Sequence, residues 1–184
     1  MARSVTILLA EDETNDAVLV HLALAKIMPG VSLHVVSDGV QAVEYLKGTG
    51  PYADRSLHPF PDVVLLDLKL PLLDGFEVLR WIRQQPELKF LPVIGLTGSL
   101  RNEDTKLACE AGANLCVLKA QGFRRLAELV MQVGGTNLTD ANIEKQITFS
   151  QGSGIDELPM VGEPGKAETP STILIAPGEG LGPR

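Results

Sequence analysis

The sequence predicts an α/β fold built on a parallel sheet with crossover helices. Short apolar runs alternate with amphipathic stretches as far as Val133, the rhythm that βαβ units produce. Runs such as Val63-Val64-Leu65-Leu66 are apolar without interruption, as strands buried on both faces require. A chain of 184 residues with 45% apolar side chains supplies the core of one ordinary domain and leaves an appendage over.

Taken in order, residues 5–10 form the first strand and break into Glu11-Asp12-Glu13-Thr14. A helical pattern then carries Val18, Leu22, Ala25 and Ile27 to Pro29-Gly30, which stops it. Residues 32–36 are the second strand, and residues 38–47 the second helix, with Val40, Val43 and Leu46 on one face. The stretch 48–61 is rich in Gly, Pro and aromatic residues and is expected as an extended surface loop. Strand three follows at 62–66 and helix three around Phe76, Leu79, Trp81 and Ile82. Strand four spans 93–96, helix four 102–111, strand five 115–118 and helix five 123–133. Five βα units are then complete, and the domain is expected to occupy residues 1–134.

After Gly134-Gly135 the composition shifts to Gly, Pro, Thr, Ser and acids, so residues 135–184 are expected as a low-complexity, mostly disordered tail. Two apolar clusters interrupt it, 155–161 and 173–176. Each is a candidate docking segment, or simply an incidental apolar stretch in a solvated tail.

A net charge of −7 excludes broad attraction to nucleic acid, which needs clustered Lys and Arg. Cys109 and Cys116 make neither a disulfide framework nor a paired CxxC metal motif, as suits a reducing cytosol, and both are expected as small core residues. Neither a leader nor a membrane-length apolar segment is legible, so a cytoplasmic protein with no membrane or direct nucleic-acid partner is expected.

The chemistry lies at the strand ends. Right-handed crossovers bring the carboxyl ends of parallel strands to one edge of the sheet, and there the sequence sets Glu11, Asp12, Asp67, Thr97 and Lys119. Three crowded carboxylates require shared protons or a cation. Mg²⁺ fits, with Asp12, Asp67, the backbone carbonyl near Lys69 and waters as ligands, and Glu11 holding one of those waters. Asp67 would attack phosphorus in line while Lys119 neutralises the phosphoryl oxygens and Thr97 donates a hydrogen bond. Each signal alone has a plainer reading: Glu11-Asp12 as a helix N-terminus, Thr97 and Lys119 as ordinary polar strand ends.

Together these residues resemble the response-regulator receiver family. The resemblance rests on Ile7-Leu8-Leu9-Ala10-Glu11-Asp12, on Val63 to Pro71 with Asp74-Gly75, on Val93-Ile94-Gly95-Leu96-Thr97, and on Ala111-Gly112-Ala113 followed by Lys119. It covers residues 4–133 and is most similar to single-domain regulators of the phytochrome-associated type. It implies a flavodoxin-like, doubly wound sheet of order 2-1-3-4-5 flanked by five helices. By the same resemblance, Asp67 accepts a phosphoryl group from the phosphohistidine of a sensor histidine kinase or a phosphotransfer protein. The chain would not otherwise be an enzyme, catalysing only its own phosphorylation and dephosphorylation, and would relay the signal to a downstream protein; a homodimer is left open.

The chain departs from that pattern at Cys116, three residues before Lys119, where the family usually carries Tyr or Phe. With the long tail, this motivates a second reading, an interaction module of receiver fold that signals without phosphorylation. An aspartate-nucleophile phosphatase would need a second acid in Asp67-Leu68-Lys69, which lacks it. Leu72 and Leu73, flanked in sequence by Leu68 and Leu70, read either as a partner-facing apolar patch or as loop leucines of which one or both tuck into the core. His21, His34 and His58 read as scattered structural or surface residues.

Overall fold

In the computed structural model the described residues are 5–98, 102–119, 126, 129 and 130, together with the backbone of 173–175. Five strands, β1 (Thr6–Ala10), β2 (Ser32–Val36), β3 (Val63–Asp67), β4 (Val93–Thr97) and β5 (Leu115–Leu118), are all parallel and stand in the order 2-1-3-4-5. Between them run α1 (Thr14–Ile27), α2 (Gly39–Lys47), α3 (Gly75–Gln84) and α4 (Asn102–Glu110). Of the fifth helix expected over 123–133, residues 126, 129 and 130 are helical and the rest lie outside the described residues.

Side-chain alternation along the strands divides the core in two. Ile7, Leu9, Val63 and Leu65 point to one face, where they meet Val20 and Leu24 of α1 with Leu126, Leu129 and Val130. Leu8, Ala10, Val64 and Leu66 point to the other, against Ala42, Tyr45 and Leu46 of α2, Val78, Leu79 and Ile82 of α3, and Ala108 of α4. Burial on both sides is why the strand sequences are continuously apolar.

A sixth strand, β6 (Ile173–Ile175), pairs in parallel with β2 in the register Leu33↔Ile173, His34↔Leu174, Val35↔Ile175. These residues belong to the segment expected to be disordered, and they cover the outer edge of β2 that a five-stranded sheet leaves unpaired. The other apolar cluster of the tail, 155–161, and the boundary expected at residue 134 lie outside the described residues.

The stretch 48–61 is the surface loop expected, largely exposed but anchored at several points. Its first turn is a 3₁₀ turn, Gly50–Tyr52, and Tyr52 is buried. The Arg55 guanidinium donates to the carbonyls of Tyr45, Leu46 and His58, and Tyr45 Oη donates to Pro59 O at 2.9 Å. His34 and His58, distant in sequence, join Tyr45 and Tyr52 in a cluster of tilted rings 5.2–6.2 Å apart. Aromatic rings and one arginine thus replace regular hydrogen bonding as the source of order.

Candidate functional site

The turn of strand order between β2 and β3 opens a crevice at the carboxyl end of β1, where α/β sheets place their ligand sites. Glu11 enters it because its N–H extends the β1–β2 ladder by one bond, to Val36 O at 2.9 Å. Ala10 is paired with Leu66, so Asp67, one residue on, stands beside Glu11. Leu96 pairs with Asp67 and Thr97 with Leu118, which brings buried Thr97 and then Lys119 to the same edge.

Lys119 closes the group. Its ammonium lies 2.5 Å from Asp67 Oδ2, 2.7–2.8 Å from the two Glu11 oxygens and 3.0 Å from Asp16 Oδ2. The Glu11 side chain is fully buried and the Asp67 side chain nearly so, at 0% and 7% exposed. Asp67 Oδ1 accepts the Lys69 N–H at 2.8 Å, so Lys69 meets Asp67 through its backbone nitrogen while its side chain is exposed. Gly75 holds this junction tight: a Cβ there would overlap Asp67 O and come within 2.6 Å of Leu68 Cα. The Asp74-Gly75 pair is therefore a packing requirement, with Asp74 also capping α3 through a reciprocal box with Glu77.

Four carboxylates, Glu11, Asp12, Asp16 and Asp67, face one ammonium. Burial first, and the Asp67 charge after it, push Glu11 up to about 7 even though Lys119 pulls the other way. Burial alone would lower Lys119, but the hydrogen bonds it donates to Asp67, Glu11 and Asp16 outweigh it and hold its pKa above the ordinary value. The excess of negative charge is what a divalent cation would relieve. Glu11, Asp12 and Asp67 each offer a carboxylate oxygen within 4.8 Å of the others. Glu11 Oε2, although close to the ammonium, is buried without a properly directed hydrogen bond. A hard-cation set of oxygen ligands with one orphaned acceptor fits a hydrated divalent ion.

Glu11, Asp67, Thr97 and Lys119, all inferred from the sequence, meet at this edge, and Asp12 stands exposed at its mouth. Asp16 was missed. Its signal was its spacing, one helical turn beyond Asp12 at the start of α1, which aims it back at the strand ends. The loop leucines divide. Leu68 and Leu70 are buried and Leu73 packs on the core, whereas Leu72 is 82% exposed at a positive φ of 65°, so one of the two loop leucines is core and the other faces outward.

Residues 7–131 match the family described as the response regulator receiver domain. The chain belongs to the response regulator receiver family. Response regulator Rcp1 of Synechocystis sp. is 35% identical over 127 residues, 69% of this chain and 84% of Rcp1. The crystal structure of the phosphorylated cyanobacterial phytochrome response regulator RcpA superposes with a TM-score of 0.65 at 32% identity, covering 74% of this receiver and 98% of RcpA. The Mn²⁺-bound form of Rcp1 superposes with a TM-score of 0.60 at 34% identity, over 73% and 95% of the two chains. The acidic cluster of this receiver is thus compatible with a divalent metal on its own geometry, and a relative of the same fold has been crystallised with one.

Proposed function

We propose that the receiver takes a phosphoryl group on Asp67 from the phosphohistidine of a sensor histidine kinase or phosphotransfer protein and passes the signal on by protein contacts. The observation that carries this reading is the contact of Lys119 with Asp67 inside the Glu11–Asp12–Asp67 cluster. Glu11, Asp12, Asp67 and the Lys69 carbonyl would hold Mg²⁺. When bound, that ion supplies neutralising charge for the phosphoryl oxygens.

The chain's own residues do the rest. A lone pair of the Asp67 carboxylate attacks phosphorus, the P–N bond breaks, and the imidazole leaves with the bonding electrons. The Lys69 N–H and Lys119 ammonium orient the carboxylate beforehand. Lys119 then shifts its charge to a phosphoryl oxygen, and the Thr97 hydroxyl donates to another. The site turns over only its own acyl phosphate. RcpA is named for a phytochrome, which makes a phytochrome-type kinase the first donor to test. Among the described residues no helix is long and apolar enough to cross a membrane, in keeping with a cytoplasmic relay.

Phosphoramidate carries the P–N bond of phosphohistidine and tests the chemistry without a kinase. Near-stoichiometric phosphoryl uptake with Mg²⁺, lost with chelator and in Asp67→Asn, is expected. Equal uptake by Asp67→Asn would refute the assignment. A second reading, a receiver that signals without phosphorylation, draws on Cys116 in the usual aromatic position; absence of any uptake would favour it.

A further inference from the structure

Cys109 and Cys116 play no part in the strand-end site, yet the fold sets them against one another. Cys109 lies in the last turn of α4 and Cys116 is the second residue of β5. The connection folds straight back, with Gly112 N–H on Cys109 O at 3.0 Å and Ala113 N–H on Ala108 O at 2.9 Å. Pairing of Cys116 with Gly95 fixes its place on the sheet, and its sulfur packs so close that a Cβ on Gly95 would lie 3.2 Å away. Cys116 Sγ also lies 4.0 Å from Thr105 O, one helical turn before Cys109. Thr105 and Cys109, four residues apart, share the face of α4 under which the Cys116 sulfur packs. Cys109 is exposed and Cys116 half-buried.

We propose that Cys109 and Cys116 form a peroxide-sensitive dithiol whose oxidised state is a disulfide tying α4 to β5. An exposed sulfur to react and a sheltered neighbour to resolve is the arrangement such chemistry needs. The proximity of the two thiols lowers Cys109 to about 7 and, with burial, pushes Cys116 up, which favours the exposed sulfur as the attacking thiolate. The Cys109 thiolate attacks one oxygen of hydrogen peroxide; the O–O bond breaks, hydroxide leaves, and Cys109 becomes a sulfenic acid. The Cys116 sulfur then attacks the sulfenic sulfur; the S–S bond forms, the S–O bond breaks, and the thiol proton leaves with the hydroxyl as water. Two electrons pass from the sulfurs to peroxide. The linkage would lock the face where Cys116 replaces the family's aromatic residue, and it does not depend on Asp67 accepting phosphate.

The full chain, reduced and then exposed to hydrogen peroxide, is alkylated with N-ethylmaleimide and weighed intact. A monomer lighter by about 2 Da, unalkylated and restored by dithiothreitol, is expected. Cys116→Ser should trap Cys109 as a sulfenic acid, giving at least about tenfold more dimedone adduct than the natural chain, while Cys109→Ser leaves Cys116 a free thiol. Alkylation of both cysteines after peroxide, a disulfide only between two chains, or equal dimedone labelling with and without Cys116 would overturn the proposal. The mass of the natural chain decides the matter even where a serine variant fails to fold.

Discussion

Asp12 is the exposed member of the acidic cluster, and its carboxylate is free of the Lys119 contacts that bind Glu11, Asp16 and Asp67. Asp12→Asn therefore removes a cation ligand with little disturbance of the buried ion group. Calorimetric titration with Mg²⁺ should show affinity reduced roughly tenfold or more, on the scale of losing one charged ligand, with the melting temperature in chelator unchanged. An unaltered Mg²⁺ affinity would remove Asp12 from the site. At this scale the sequence was informative wherever topology alone decides position. Glu11, Asp67, Thr97 and Lys119 end parallel strands, and strand ends converge whatever their separation in sequence. Asp16 and the packing of Cys116 under α4 depend on how a helix is rotated against the sheet, which spacing constrains less tightly.

At the scale of elements, the junction from β3 into α3 is the most demanding. Gly75→Ala forces a methyl group into the Asp67 carbonyl and the Leu68 backbone. The strain should cost about 1–3 kcal/mol in a denaturant titration and slow phosphoryl uptake by displacing Asp67; wild-type stability in this variant would show that the backbone yields freely. The loop 48–61 lies largely at the surface as expected, but what anchors it was not legible. Its Gly and Pro content argued against regular structure, correctly, but the Arg55 clamp and the ring cluster around Tyr45 are long-range contacts that composition does not report. Within that cluster burial, and after it the nearby His58, lowers His34 below its ordinary 6.5. The folded state thus holds His34 neutral while the unfolded chain protonates it. Stability from this residue is full above pH 6.5 and falls as pH drops below it. Urea midpoints measured down through that range should decline more steeply for the natural chain than for His34→Gln; parallel declines would deny His34 the effect.

Across the whole molecule, the order of the five central strands and the two-sided core follow from the sequence pattern, because uninterrupted apolar strands separated by amphipathic helices leave few ways to bury both faces. The sixth strand did not follow. A three-residue strand within a Gly- and Pro-rich tail carries too little periodicity to register, and it is defined only by the β2 edge it pairs with. What the architecture achieves is the gathering of one ammonium and four carboxylates at a single sheet edge, the arrangement on which Asp67 is proposed as phosphoryl acceptor. An acyl phosphate, unlike a free carboxylate, is reduced by borohydride, leaving homoserine. The protein should be incubated with Mg²⁺ and phosphoramidate, reduced, digested and mapped by mass spectrometry. Homoserine is expected at position 67 and nowhere else; an unmodified Asp67 beside a reduced residue elsewhere in the chain would refute the assignment.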